Sequence, residues 1–156
     1  MNGEKDNKIQ LKWPNDLLVN GKKVSGILLE NYCQNSFVDF AIIGIGINIA
    51  NHPKNVLFEA TSLFEENIKI NKDDFLRIFL DEFDKLYELV NKFGLDETFK
   101  NIRKSWIKSA YRLQEEVRIN LGDETISGIF EDIDEEGALM LRKDKQITQI
   151  SFGDIC

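Results

Sequence analysis

Apolar and polar positions change period along the chain, and each change predicts a different kind of element. Residues 8–50 read as strands and tight turns. Leu17-Leu18-Val19 is a short apolar run stopped by Asn20-Gly21. Asn-Gly predicts a two-residue hairpin, because both central positions of a type I′ turn need positive φ. Val24-Ser25-Gly26-Ile27-Leu28-Leu29-Glu30 supplies the returning strand, with Lys22 and Lys23 just past the turn. A polar turn at Gln34-Asn35-Ser36 leads to the run Phe37 to Ala50. That run is long, β-branched and nearly uncharged, which predicts a strand buried on both faces.

Over residues 72–93 the period becomes helical. Phe75, Phe79, Phe83, Leu86, Val90 and Phe93 recur three or four apart and form one stripe. Asn71 suits the N-cap, Asp73 and Asp74 favour the positive helix start, and Gly94 supplies a stop. An aromatic stripe of this kind predicts core. A second helix is predicted over about 96–110, with Phe99, Ile102, Trp106 and Ala110 on one face.

From Glu115 the period falls to two. Val117 to Leu121 alternates, Gly122-Asp123 turns, Ile126 to Phe130 returns, and Asp134 to Gly137 turns again. Ala138 to Leu141 and Ile147 to Ile150 are further strands. Short strands this closely spaced predict a small barrel after a boundary at 111–115. The fold class is therefore α+β: a mixed, largely antiparallel sheet with helices, then a small β-barrel.

Composition narrows the classes of function. The chain has 156 residues, 42% of them hydrophobic and 30% charged, so wholesale disorder is excluded. No apolar run approaches the ~18 residues of a membrane span. The start, Met1-Asn2-Gly3-Glu4-Lys5-Asp6, lacks the layout of a signal peptide. Two cysteines, Cys33 and Cys156, are too few for a disulfide framework or a Cys-based zinc site, and a reducing cytoplasm is expected. The net charge of −7 argues against a nucleic-acid partner. The charge is uneven. Residues 1–30 carry five Lys against four acids, residues 101–114 carry four basic residues and no acid, and residues 115–140 carry nine acids and one Arg. The pattern reads as a soluble acidic surface with one basic helix face, and leaves room for a polyanionic small ligand such as a nucleotide held in a local basic pocket.

Several familiar constellations are missing. The single histidine, His52, does not support a His-based metal cluster or a Ser-His-Asp triad, and beside Pro53 it reads as a solvated loop residue. No Gly-x-x-x-x-Gly-Lys-Ser/Thr phosphate loop occurs. Gly44-x-Gly46 has two readings, glycines tolerated where another element crosses a strand or backbone brought close to a ligand. Lys12-Trp13-Pro14-Asn15-Asp16 puts a cation, an aromatic, a rigid turn residue and two polar acceptors just before a strand, where binding groups collect.

That pentapeptide, then Asn20-Gly21-Lys22-Lys23-Val24-Ser25-Gly26-Ile27-Leu28-Leu29-Glu30, then Gly44-Ile45-Gly46-Ile47-Asn48, resembles the biotin protein ligase family. Ala60-Thr61-Ser62-Leu63, Gly128-Ile129-Phe130, Gly137-Ala138-Leu139 and Gly153-Asp154-Ile155 extend the likeness to the end of the chain. The resemblance implies a catalytic sheet of the class II aminoacyl-tRNA synthetase and biotin synthetase type, partly represented by residues 1–112. It implies an SH3-like C-terminal barrel at 113–156. Members normally carry roughly another hundred residues before the pentapeptide, including an Arg/Gly-rich loop over biotin and the phosphates. A separate N-terminal half is thus an expected partner.

The family reaction joins biotin to a lysine of a biotin carboxyl carrier domain, using ATP, commonly with Mg2+, through biotinyl-5′-adenylate. By resemblance Lys23 contacts the biotin carboxylate and the α-phosphate, and its replacement is expected to leave folding untouched. Gly26 and Leu28 line the biotin pocket, and Gly44 and Gly46 provide close approach on the facing strand. Asn15 and Asp16 lie near the adenylate, where Asp16 either orients the acceptor amine or helps hold magnesium. Asn48 reads the adenine edge, since a side-chain amide both donates and accepts. Ala60 stands where some relatives place a Trp. The competing readings are a non-catalytic remnant or interaction fragment and a lipoate-ligase-like acyl-adenylating enzyme. The helix-turn-helix of the repressor members has no counterpart here, a membrane partner is not expected, and a homodimer is among the expected assemblies.

Overall fold

A computed structural model describes residues 7–34, 37–56 and 58–156. The polar start, the turn residues Asn35 and Ser36, residue 57, and the side chains of Cys33, Gln34 and Phe37, where the expected buried run begins, lie outside the described set. Contacts divide the chain into two units, one of residues 1–10 and 15–69, the other of residues 11–14 and 70–156.

The first unit is built on a sheet of β1 (Ile9–Lys12), β2 (Asp16–Val19), β3 (Lys22–Gln34) and β4 (Phe37–Ile47), in that order. β2–β3 and β3–β4 pair antiparallel. The hairpin turns where the sequence places it, with Asn20 at φ 52 and Gly21 at φ 80. Its core is small: Leu18, Val19, Val24 and Leu63 are buried, together with Thr61 and Ser62. The burial expected for the run Phe37 to Ala50 is not found. Val38 and Phe40 are 58% and 53% exposed, and Ile42, Ile43 and Ile45 are exposed as well. The reason is architectural. β4 is an edge strand and this unit holds no helix among its described residues, so neither face of the β3–β4 ribbon gains a second layer.

The second unit contains α1 (Lys72–Phe93), α2 (Leu95–Lys108) and the strands β5 (Glu116–Asn120), β6 (Thr125–Ile133), β7 (Leu139–Lys143), β8 (Gln146–Ile150) and β9 (Asp154–Ile155). Asn71 caps α1 by accepting from the Asp74 N–H, and Gly94 ends the helix at φ 81. The aromatic stripe of α1, expected as core, is not buried: no α1 residue is, and Phe83 and Phe93 are 39% and 54% exposed. Among the described residues α2 packs against it, and 14 residues cannot cover 22. A groove of about 520 Å³ lined by Leu11, Leu86, Leu89, Phe93, Ile102 and Trp106 remains open.

The five strands form one antiparallel sheet in the order β8-β7-β6-β5-β9. Here the period-two pattern does bury one face. Val117, Ile119, Phe130, Ile133, Leu139, Leu141, Ile150 and Ile155 form a continuous core with Trp13. Trp106 meets Phe130 edge to face at 6.3 Å. The Trp13 indole N–H donates to the Gly137 carbonyl at 3.0 Å, so this polar atom is not buried unsatisfied. Lys12, 1% exposed, sends its Nζ to Asp154 Oδ1 at 2.5 Å. The mixed α+β class with antiparallel sheets is thus as expected, and β8 and β9 are the two edges of the C-terminal sheet.

Candidate active site

Across β3–β4 the register sets Gly26 opposite Gly46 and Leu28 opposite Gly44. Paired residues of antiparallel strands share a face, as do residues two apart, so all four lie on one face. The other face carries Ile27, Leu29, Ile43 and Ile45. Asp16 pairs with Gly26 and therefore belongs to the glycine face.

Simple alternation would send Lys23, three residues before Gly26, to the opposite side. A bulge corrects this. Leu17 pairs with Ser25 and Leu18 with Lys23, so Val24 is skipped and Lys23 returns to the glycine face. Its Nζ lies 2.6 Å from Asp16 Oδ1. The Asp16 side chain is 6% exposed while that of Lys23 is 38% exposed. A Cβ on Gly26 would lie 3.2 Å from Asp16 Oδ1 and 3.3 Å from Lys23 Nζ. Only glycine leaves the surface over this ion pair open. The result is an ammonium oriented from below by a buried carboxylate, beside a bare strip of backbone. That arrangement suits an anionic group bound flat against a sheet. Lys22 instead reaches Glu59 at 3.5 Å.

The remaining polar residues are fixed by the fold. Asn15 brackets Ile27, its carbonyl accepting from the Ile27 N–H and its Nδ2 donating to the Ile27 carbonyl. Asn48 donates from its backbone N–H to Val24 and from Nδ2 to the Thr61 carbonyl at 2.9 Å. Residues 59–61 run parallel beside Lys23, whose N–H donates to Glu59 and whose carbonyl accepts from the Thr61 N–H. Glu66 closes the group. Its carboxylate accepts from Thr61 Oγ1 at 2.7 Å and Asn20 Nδ2 at 2.6 Å. Burial raises its pKa, but those two hydrogen bonds and the nearby Lys22 charge outweigh it, so the carboxyl sits below its ordinary value.

The structure thus brings Asp16, Lys23, Gly26, Leu28, Gly44 and Gly46 to one face and holds Asn15 and Asn48 by hydrogen bonds within the same unit. Two features escape sequence reasoning. One is the Asp16–Lys23 ion pair, which depends on the bulge. The other is Glu66, for which no local pattern gives a signal. His52 is also corrected: its ring is 10% exposed, with Nε2 2.9 Å from Glu65 and Nδ1 3.0 Å from the Pro53 carbonyl. Among the described residues no three His, Cys, Asp or Glu side chains gather to hold a metal ion. No helix among them is long and apolar enough to cross a membrane.

Comparison with known proteins gives matches to both ends of the chain. Residues 1–48 match the biotin/lipoate A/B protein ligase family, and residues 113–156 match the biotin protein ligase C terminal domain. These matches place the two segments in the class of biotin and lipoate ligases. The biotin--[acetyl-CoA-carboxylase] ligase of Paracoccus denitrificans is 33% identical over 86% of this chain and 57% of its own length. The bifunctional ligase/repressor BirA of Bacillus subtilis is 35% identical over 93% of this chain and 45% of its own. The apo biotin protein ligase of Aquifex aeolicus superposes with a TM-score of 0.76 at 28% identity, covering 95% of this chain and 64% of that one. The same enzyme in complex with biotin and ATP gives 0.73 at 26% identity, covering 95% and 61%. The chain belongs to the biotin protein ligase family. It spans about half the length of the curated relatives it matches.

Proposed function

We propose that this chain provides the Lys23 site of an enzyme that joins biotin to a lysine of a biotin carboxyl carrier protein. The observation that carries the reading is the Lys23 ammonium, held 2.6 Å from buried Asp16 beside Gly26. In the first step a biotin carboxylate oxygen attacks the α-phosphorus of ATP and pyrophosphate leaves, giving biotinyl-5′-adenylate. In the second, the carrier lysine amine attacks the acyl carbon, AMP leaves with the bonding electrons, and the amine loses a proton. Both steps concentrate negative charge on carboxylate and phosphate oxygens, where a preoriented ammonium stabilises the transition state. Asp16 holds that ammonium in place. Leu28 offers apolar surface to the biotin ring. Gly44 and Gly46 let the ligand approach the backbone. The Nδ2 of Asn48 is committed to Thr61, so its amide oxygen accepts from the adenine amino group. Asp16 is engaged with Lys23, and a magnesium ion, if used, would be carried by the ATP phosphates and would offset their charge there.

In this reading residues 1–112 are part of a catalytic domain of the class II synthetase type, and residues 113–156 curl into an SH3-like module. Turnover requires a segment equivalent to the part of the relatives outside the match. The open faces of β3–β4 support that requirement. The test is pyrophosphate release with biotin and ATP in a chain carrying that segment. Lys23→Ala is expected to lower the rate about 10²-fold, the order for losing one preorganised donor. Lys22→Ala should change it less than twofold. No release from the extended chain with Lys23 intact would favour a non-catalytic remnant, and turnover with lipoate in place of biotin would favour the lipoate class. Equal behaviour of the two lysine variants would refute the site.

A further inference from the structure

We propose that Glu66 is a positioning residue for the site, acting through Thr61 to fix Lys23 and Asn48 together. This rests on the ligase reading above. Thr61 is 1% exposed and is a node with three connections. Its N–H donates to the Lys23 carbonyl at 2.9 Å, its carbonyl accepts from Asn48 Nδ2 at 2.9 Å, and its hydroxyl donates to Glu66 Oε1 at 2.7 Å. Two of its partners are thus the residues assigned to the carboxylate–phosphate centre and to the adenine edge. The third is a carboxylate that touches neither ligand.

The second oxygen of Glu66 completes the device. It accepts from Asn20 Nδ2 at 2.6 Å. Asn20 is the first turn residue of the hairpin that carries Lys23. One carboxylate therefore ties the hairpin turn and the 59–61 segment to a common point, and Lys23 sits between those attachments. Glu66 is itself anchored, since its N–H donates to the Ser62 carbonyl at 3.1 Å and its own carbonyl accepts from Asn7 Nδ2 at 3.2 Å. The charged group acting on this point is Lys22, on the hairpin, which itself reaches Glu59 at 3.5 Å. Two acceptor oxygens aimed at two donors are what the position requires. Ala offers neither. Gln keeps both bonds if its oxygen faces Asn20 and its amide faces the Thr61 hydroxyl, which can accept as well as donate.

The experiment has two arms. In the first, hydrogen exchange of the Thr61 and Lys23 backbone N–H groups is measured in the 156-residue chain. Glu66→Ala should speed both about tenfold, the equivalent of one ordinary hydrogen bond. Glu66→Gln should recover most of the protection. In the second arm, biotin- and ATP-dependent pyrophosphate release is measured in the chain extended as above. Glu66→Ala should lower kcat about tenfold and raise the KM for ATP, because both Lys23 and Asn48 lose their reference point. Thr61→Val combined with Glu66→Ala should be no worse than Glu66→Ala alone, since both remove one connection. Unchanged exchange in Glu66→Ala would overturn the proposal. So would a lower melting temperature with kcat and KM of the folded fraction intact, which is a structural role only. Absence of release from the extended chain with Glu66 and Lys23 intact is a different failure. It overturns the ligase reading and the catalytic half of this one, while the exchange arm still decides whether Glu66 holds Thr61 and Lys23.

Discussion

In the five-stranded sheet Val117, Ile119, Phe130, Leu139 and Leu141 are no more than 3% exposed, whereas in the four-stranded sheet Leu28, Leu29, Val38, Phe40 and Ile42 are at least 53% exposed. Both sets come from apolar strand sequences, so residue type does not explain the difference. Layering does. The C-terminal strands turn one face toward Trp13 and Trp106 and close a core on them, with Trp13 buried. The β3–β4 ribbon carries exposed apolar residues on both faces, and its own unit holds no helix among the described residues to cover them. One region stores cohesion, and the other presents apolar surface, glycine backbone and a reachable ammonium for something else to bind.

The two lysine–aspartate pairs repeat the contrast at smaller scale. In Lys12–Asp154 the ammonium is buried, at 1%, and the carboxylate is at the surface, at 62%. In Lys23–Asp16 the order is reversed, 38% for the lysine and 6% for the aspartate. A pair that hides its cation serves the fold. A pair that hides its anion offers the cation to an anionic ligand.

The largest expected effect tests the contrast between sheets. Phe130→Ala should destabilise the second unit by about 3–5 kcal/mol, the cost of emptying a closed core. Phe40→Ala should stay within about 0.5 kcal/mol. Denaturant titrations of both variants decide it, and equal losses would show that the β3–β4 faces are covered in solution.

Next come the ion pairs. Asp154→Ala takes a carboxylate partner from a buried ammonium, and Lys23→Ala takes an ammonium partner from a buried carboxylate. Each should cost about 1–3 kcal/mol. The expectation that replacing Lys23 leaves folding untouched is therefore revised, because Asp16 lies buried against it. Adding Asp16→Ala to Lys23→Ala should return part of the loss. A double-mutant cycle with no coupling would remove the pair from both the fold and the site.

Gly26→Ala sharpens the comparison further. The new Cβ meets the flexible end of Lys23 and one oxygen of Asp16, so the fold should tolerate it. The site should not: biotin- and ATP-dependent pyrophosphate release should fall about tenfold, equivalent to about 1.4 kcal/mol. Loss of stability without loss of activity would contradict the open strip over the ion pair.

The smallest effect is in pH. Glu66 is held below the ordinary carboxyl value of 4.5 in the folded chain. Its stabilisation should be complete above that value and disappear as the pH falls through the lowered one. The difference in unfolding midpoint between the parent chain and Glu66→Gln should be constant above 4.5 and shrink below it. A difference that grows on acidification would reverse the assigned direction.

Much of the fold was legible without coordinates because its signals are local. Asn20-Gly21 specifies positive φ at two successive residues, and the turn forms there. Asn71 and Gly94 bound the helix 72–93 because capping depends on neighbours within one turn. The period-two pattern after Glu115 predicts strands with one buried face, and Val117, Ile119 and Phe130 fill it. The same reasoning failed for Phe37 to Ala50 and for the α1 stripe. Hydrophobicity records what an element can bury, while burial depends on what is placed against it. Lys23, Gly26 and Gly44 were singled out as candidate site residues through the family resemblance of their motifs. That Lys23 faces Gly26 at all was decided by the bulge that skips Val24, and its charge partner Asp16 was decided by the pairing of β2 with β3. Glu66 carried no sequence signal, since its role exists only where a loop returns a carboxylate to Thr61 and Asn20 at once. Turns, caps and periods act within a few residues and are written in order along the chain. Burial, ion pairs and the positioning of a site depend on segments brought together from a distance, and only the tertiary structure sets those distances.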